Sequence, residues 1–242
     1  MHPMPLDGRP DPPASPGLMR DAVAHAIATR RSIRGFLDTP VEPATVIRLL
    51  ELAARAPSGS NIQPWKAHVL TGAALSRVVA ALLAAFNAGV PEQRDYEYYP
   101  RTWQAPYLDR RRAVGWQLYA LAGVERGDRA AGDRQRARNF SFFGAPVGLV
   151  FTIDRDMEQG SWLDTGMFLQ TLMIAARGFG LDTCAQAAIA SYAGVLRQHL
   201  PILDSEIVVC GMALGVADGA EPTNALASAR EPVAGFTMFH VE

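Results

Sequence analysis

Residues 30–36 read Arg30-Arg31-Ser32-Ile33-Arg34-Gly35-Phe36, and the fold turns on how this stretch is taken. It follows a segment at about 19–30 in which Met19, Val23, Ala26 and Ile27 recur at helical spacing. The stretch itself alternates and reads as extended chain. Extended chain puts residues two apart on one face, so Arg30, Ser32 and Arg34 point one way over roughly 13 Å at ~3.3 Å per residue. Such a strip suits a ligand with an anionic end and a polar ring. A basic run after a helix is also commonly a solvated cap that complements the helix dipole. The stretch alone leaves both open.

Outward from it, a second helix opens at Pro43, a favoured first-turn residue, with Val46, Leu49, Leu50 and Ala53 as its apolar stripe. Lys66 to Leu70, Val147 to Ile153 and Ile207 to Ala213 read as strands. Helices are expected over Ala73 to Ala85, Trp162 to Ala176 and after Ser191. The 162–176 segment is apolar on nearly all faces and is expected to be buried. Helices and strands intermix, so the class is α+β or an α/β sandwich. Residues 87–138 lose the pattern, with tyrosines at 96–99 and arginines at 110–112, and are expected to form a partly helical lid insertion. Residues 1–18 hold six prolines and read as a flexible tail ahead of one domain, 19–242.

Composition excludes several function classes. Of 242 residues, 49% are hydrophobic and 19% charged, which is globular composition. The net charge of -1 provides no global field for a nucleic-acid backbone, so no nucleic-acid partner is expected. The five histidines show no metal-ligand spacing, so no metal site is expected. The longest charge-free run, Asn139 to Ile153, contains Pro146 and is shorter than the ~20 residues of a membrane helix. No basic region precedes an apolar core near the N-terminus, so a leader is not expected and a cytoplasmic location is. Lys66 is the single lysine, and arginine supplies the remaining basic residues.

Three more segments are richer in special residues than packing requires. Pro57-Ser58-Gly59-Ser60-Asn61-Ile62-Gln63-Pro64-Trp65 is either a turn into a strand or a backbone loop able to approach a planar polar ligand. Gly178 to Ala188 contains a Gly-x-Gly that follows a helix rather than a strand, unlike a dinucleotide fingerprint. Its Cys184 reads as a small buried thiol more readily than as a nucleophile. The tail Gly211-x-Ala213-Leu214-Gly215, Pro222-x-Asn224, Arg230-x-Pro232 ends in an arginine that matters only if it reaches the same ligand as Arg30.

Taken in this order, R-R-S-I-R at 30–34, A-P-S-G-S-N-I-Q-P-W at 56–65, G-L-D-T-C-A-Q-A-A at 180–188 and the 211–232 tail resemble the FMN-dependent nitroreductase family. The resemblance spans about 19–242. It implies a central, mostly antiparallel sheet flanked by helices in an intertwined homodimer, with FMN at the interface. By the same resemblance Arg30, Ser32 and Arg230 anchor the phosphate, and Arg31 is a further ribityl or phosphate contact. Arg34 faces the pyrimidine edge of the flavin. Pro57, Ser58, Gly59, Asn61 and Gln63 come from the other subunit, and Gln186, Ala187 and Ala188 approach the ring rim. No side-chain acid or base is then required, since the flavin carries the chemistry.

The activity this implies is ping-pong reduction of aromatic nitro compounds or quinones by NADH or NADPH. Tyr96, Trp103, Arg110 and Arg111 are the candidate substrate contacts in the lid. The alternative is reductive dehalogenation or other flavin chemistry on the same scaffold, for which Glu92 and Tyr96 match two of three expected lid residues and Lys66 lies elsewhere. A flavin-binding sensor without enzymatic activity is the third reading.

Overall fold

The computed structural model describes residues 15–241, so the expected tail lies almost wholly outside the described residues. Helix α1 (Pro16–Thr29) begins three residues before the expected start, because Ser15 accepts a capping bond from the Leu18 N–H (3.2 Å) and Pro16 fills the first turn. Helix α2 (Pro43–Ala53) starts at Pro43 and buries Val46, Leu49 and Ala53. Strand β1 (Lys66–Thr71), α3 (Gly72–Asn87), α4 (Tyr107–Leu121) and α5 (Arg129–Ala137) follow. The second half contains β2 (Val147–Asp154), α6 (Gln159–Gly178), β3 (Asp182–Gln186), α7 (Ala193–His199) and β4 (Glu206–Gly215).

The strands form one antiparallel sheet in the order β1-β2-β4-β3. Its two central strands are covered on both faces, as their continuous apolar runs require. Leu149, Phe151 and Ile153 pack with α2 and α6, where Leu49, Phe168 and Leu172 meet them. Val150 and Val208 point the other way, to Leu82, Ile189 and Leu196 of the α3 and α7 side. Gly211 makes this second layer close: a Cβ there would stand 2.6 Å from Ile189 Cγ1, so only glycine lets the 187–191 turn rest on the sheet.

Two expectations change. Strand β3 was not foreseen in the 178–188 segment; Gly180, at φ 69°, turns the chain out of α6 and the strand is only five residues long. Helix α6 is not buried on all sides: Leu163 is 71% exposed, while the polar Ser161, Asp164 and Thr165 are buried.

The 87–138 region is not a uniform insertion. Asp95 Oδ2 accepts from Arg197 Nη2 (2.8 Å) and the Val208 N–H (2.9 Å), and Oδ1 accepts from Arg155 Nη2 (3.1 Å). Burial alone would raise the Asp95 carboxyl, but these bonds outweigh it and hold it below the ordinary carboxylate value. Tyr96 donates its hydroxyl to the Val209 carbonyl (2.6 Å). Residues 95–96 are thus fastened to β4, whereas α4 buries none of its residues. No described helix is long and apolar enough to cross a membrane.

Candidate active site

The 30–36 stretch runs along the outer edge of β3. Ser32 bridges Thr183 in parallel register, and the Ile33 N–H donates to the Thr183 carbonyl (3.1 Å). Ile33 is buried by this pairing, and the residues on either side of it turn outward. The other side of the stretch is clamped by the C-terminal loop. Asn224 Oδ1 accepts from the Arg34 N–H (2.6 Å), and its Nδ2 donates to the carbonyls of Gly35 (2.8 Å) and Asp218 (2.9 Å). Arg138 Nη2 donates to the Arg34 carbonyl (2.6 Å) and to Glu221 Oε2 (2.7 Å). Glu221 lies so close that a Cβ on Gly35 would stand 2.3 Å from its Cγ. Burial works to raise the Glu221 carboxyl, but bonds from Arg138 and Thr223 hold it below the ordinary value.

Held this way, Arg30, Arg31, Ser32 and Arg34 line a cavity of about 640 Å³, and Arg230 reaches it from the opposite end of the chain. No acidic side chain is in the lining. Among the described residues, none of these four arginines forms an ion pair; Arg34 Nη1 donates to the Ser32 carbonyl (3.2 Å) and Arg230 Nη1 to Ser228 Oγ (2.7 Å). Several cations and a hydroxyl around one hollow are a donor set for a phosphate dianion. Cys184 lies behind this wall. Burial pushes its thiol up to about 11, against weaker opposing effects from Arg34 and Ser32, so it stays protonated and is not a nucleophile.

A second hollow of about 340 Å³ opens beside Gln186 and Ala187, bounded by Tyr96, Tyr98, Trp162 and Val209. Two buried polar atoms on this strand have no partner, Thr183 Oγ1 and Gln186 Oε1; Gln186 Nε2 is spent on the Asn139 carbonyl (2.7 Å). Orphaned buried acceptors are rare and mark places where a further molecule can donate. Ala188 lies in neither lining and packs against the core.

The Pro57–Gln63 loop lines neither hollow. Ser60, Asn61 and Gln63 take left-handed backbone, with φ of 50°, 58° and 49°. Such conformations cost on the order of 1 kcal/mol or more for residues other than glycine, and surrounding bonds must impose them. Here the Gly59 N–H donates to Asp164 Oδ2 on α6 (3.1 Å) and the Gln63 N–H to Ser58 Oγ (3.0 Å). Of the candidate substrate contacts, only Tyr96 borders the second hollow. Arg110 pairs with Glu231 (2.7 Å), and Arg111 lies over the rings of Trp103 (4.6 Å) and Tyr99 (5.5 Å). Glu92 pairs with Arg94, and Lys66 Nζ donates to Asp154 (2.6 Å) and Glu206 (2.9 Å), so these three do not assemble around one ligand.

Sequence reasoning missed Asp95, Asp164 and the role of Asn224. Asp164 did leave a signal, as the lone charged residue of the 162–176 segment.

The model of the Nitroreductase family matches residues 27–216. The chain is 40% identical to the 4-nitrobenzoate reductase of Pseudomonas putida over 222 residues, 92% of this chain and 97% of that protein. It is 41% identical to the nitrobenzene nitroreductase of Ectopseudomonas oleovorans, over 88% and 94% of the two chains. The FMN and NADPH-dependent nitroreductase NfnB of Sphigopyxis sp. strain HMH superposes with a TM-score of 0.87 at 37% identity, covering 91% of this chain and 99% of that one.

Proposed function

The chain belongs to the nitroreductase family and is an oxidoreductase of that family, and from this premise we propose that it binds FMN, accepts electrons from NADH or NADPH and passes them to aromatic nitro compounds or quinones. The observation that carries the reading is the convergence of Arg30, Arg31, Ser32, Arg34 and Arg230 on one cavity without an acid. FMN ends in a phosphate dianion, and this donor set is matched to it. Arg30, Ser32 and Arg230 would hold the phosphate, with Arg31 beside them. The orphaned Gln186 Oε1 supplies an acceptor for the ring or ribityl end.

Bound FMN supplies two-electron hydride chemistry. The protein's part is binding, orientation and electrostatics. Arg34 has its backbone fixed by Asn224 and Arg138, and its guanidinium meets no carboxylate among the described residues. A cation fixed in this way favours a ring that gains negative charge on reduction, and it need not reorganise when the charge arrives. Gln186 and Ala187 border the hollow where an acceptor would lie flat between Tyr96 and Trp162.

We place the enzyme in the cytoplasm as a homodimer. Two apolar strips, Val23 and Ile27 on α1 and Leu163 and Met167 on α6, are exposed in the single chain, and a second copy would cover them. The strained 57–63 loop, lying outside both hollows, would then close the flavin site of the other subunit. The test is direct. Flavin released by heat should be FMN by mass, and anaerobic NADH or NADPH should bleach the yellow protein. FAD as the only flavin, or a flavin that neither nicotinamide bleaches, would overturn the proposal.

A further inference from the structure

We propose that the second hollow selects uncharged aromatic acceptors over carboxylated ones, and that the Glu92–Arg94 pair sets this choice by holding a cation at the rim out of use. The proposal rests on the functional reading above, which makes this hollow the acceptor site.

The lining contains no charged side chain, and Tyr96, Tyr98, Trp162, Leu169 and Val209 are among its residues. The polar atoms present are largely committed. Tyr96 donates to the Val209 carbonyl, Thr165 Oγ1 to the Ser161 carbonyl (2.8 Å), and Gln186 Nε2 to Asn139. A carboxylate entering here exchanges water for aromatic walls and finds no opposite charge in the lining, and an unpaired charge pays heavily for that exchange.

One cation stands at the rim of the hollow, Arg94. Its Nη1 lies 3.4 Å from the carbonyl of Ala187, a lining residue. Its Nε and Nη2 are both spent on Glu92 Oε2, at 2.9 Å each. The pair is therefore neutral toward the hollow. Arg110 and Arg111, the arginines among the candidate substrate contacts, are engaged with Glu231 and with the Trp103 and Tyr99 rings. The 57–63 loop adds no charge when a partner subunit brings it to the site, since it reads Pro-Ser-Gly-Ser-Asn-Ile-Gln. Glu92 is more exposed than Arg94, so it can be changed with little effect on packing.

The experiment compares 4-nitrobenzamide with 4-nitrobenzoate, nearly equal in shape and different in charge at neutral pH. The holoenzyme is driven by NADPH, and kcat/KM for each compound is divided by its rate of oxidising free reduced FMN. The neutral amide should be favoured at least tenfold, about 1.4 kcal/mol. Glu92→Gln, which releases Arg94, should narrow that ratio at least threefold by raising kcat/KM for the carboxylate. Adding Arg94→Ala to it should restore the ratio. A wild-type ratio near one, or a ratio that Glu92→Gln leaves unchanged, would overturn the inference alone, because both compounds would still turn over. Turnover of neither compound by an enzyme that NADPH has bleached would overturn the functional reading as well.

Discussion

Replacing Asp95 by asparagine tests whether one carboxylate fastens the 95–96 segment to the sheet. The wild-type carboxylate accepts three bonds, from Arg197, the Val208 N–H and Arg155. Asparagine can keep its carbonyl on Arg197 and Val208, and must then turn its NH2 toward Arg155, donor against donor. Hydrogen bonds to charged groups are worth about 1.5–3 kcal/mol each. The Arg155 side chain is 43% exposed, so solvent screens its share. The Asp95 and Arg197 side chains, 11% and 16% exposed, carry most of the effect. The expected loss is about 2–3 kcal/mol at pH 7, from one charged bond removed and the other two losing the charge on their acceptor. The sign with pH follows from the direction of the shift. The Asp95 carboxyl is held below its ordinary value of 3.8, so its stabilisation is complete above that pH and disappears as pH falls through the lower, folded value. Urea unfolding of the holoprotein at fixed concentration should show wild type and variant converging toward pH 3. A loss under ~0.5 kcal/mol, or one equally large at both pH values, would refute the reasoning.

Asn224→Ala removes bonds to the Arg34 N–H and the Gly35 carbonyl at the inner edge of the site, and should cost about 2–4 kcal/mol in urea unfolding and release flavin during gel filtration. Arg34→Ala should retain flavin but slow its anaerobic reduction by about 30- to 1000-fold, read by stopped flow, because it removes charge stabilisation of ~2–4 kcal/mol. Gly211→Ala drives a methyl into Ile189 and should lower stability by about 1–3 kcal/mol without shifting the flavin spectrum in the folded fraction. Sedimentation should find a dimer at micromolar concentration, with thermal stability rising with protein concentration.

The sequence made the two central strands and α2 legible, because continuous apolar runs and a Pro43-led stripe have few other uses. It also brought Arg30, Ser32 and Arg34 together as a group; they line one cavity, which Arg31 joins from the position that alternation assigns to the other face. Strand β3 was hidden, since Asp-Thr-Cys-Ala-Gln is short and weak in strand-forming residues, and its existence depends on neighbours on both edges. Asp95 was hidden for a related reason. Its three partners lie 60 or more residues away, and no local pattern reports a carboxylate buried by distant donors. The arginines at 110 and 111 show the limit of charge counting: a run of like charge reveals a surface, and only the fold shows which acids and rings have already claimed it.

The site described here has an order of assembly in time. Arg30 and Arg230 face one cavity but are 200 residues apart in the chain, and the clamp that seats Arg34 waits for Asn224. At ~5–20 residues per second, a ribosome makes the first anchor about 10–40 s before the last. Throughout that interval the arginines of the 30–34 stretch are present without the loop that closes the hollow around them. Cofactor capture therefore belongs to the end of synthesis or later, and a nascent chain stalled short of residue 224 would expose a basic, unclamped sheet edge rather than a partly loaded enzyme.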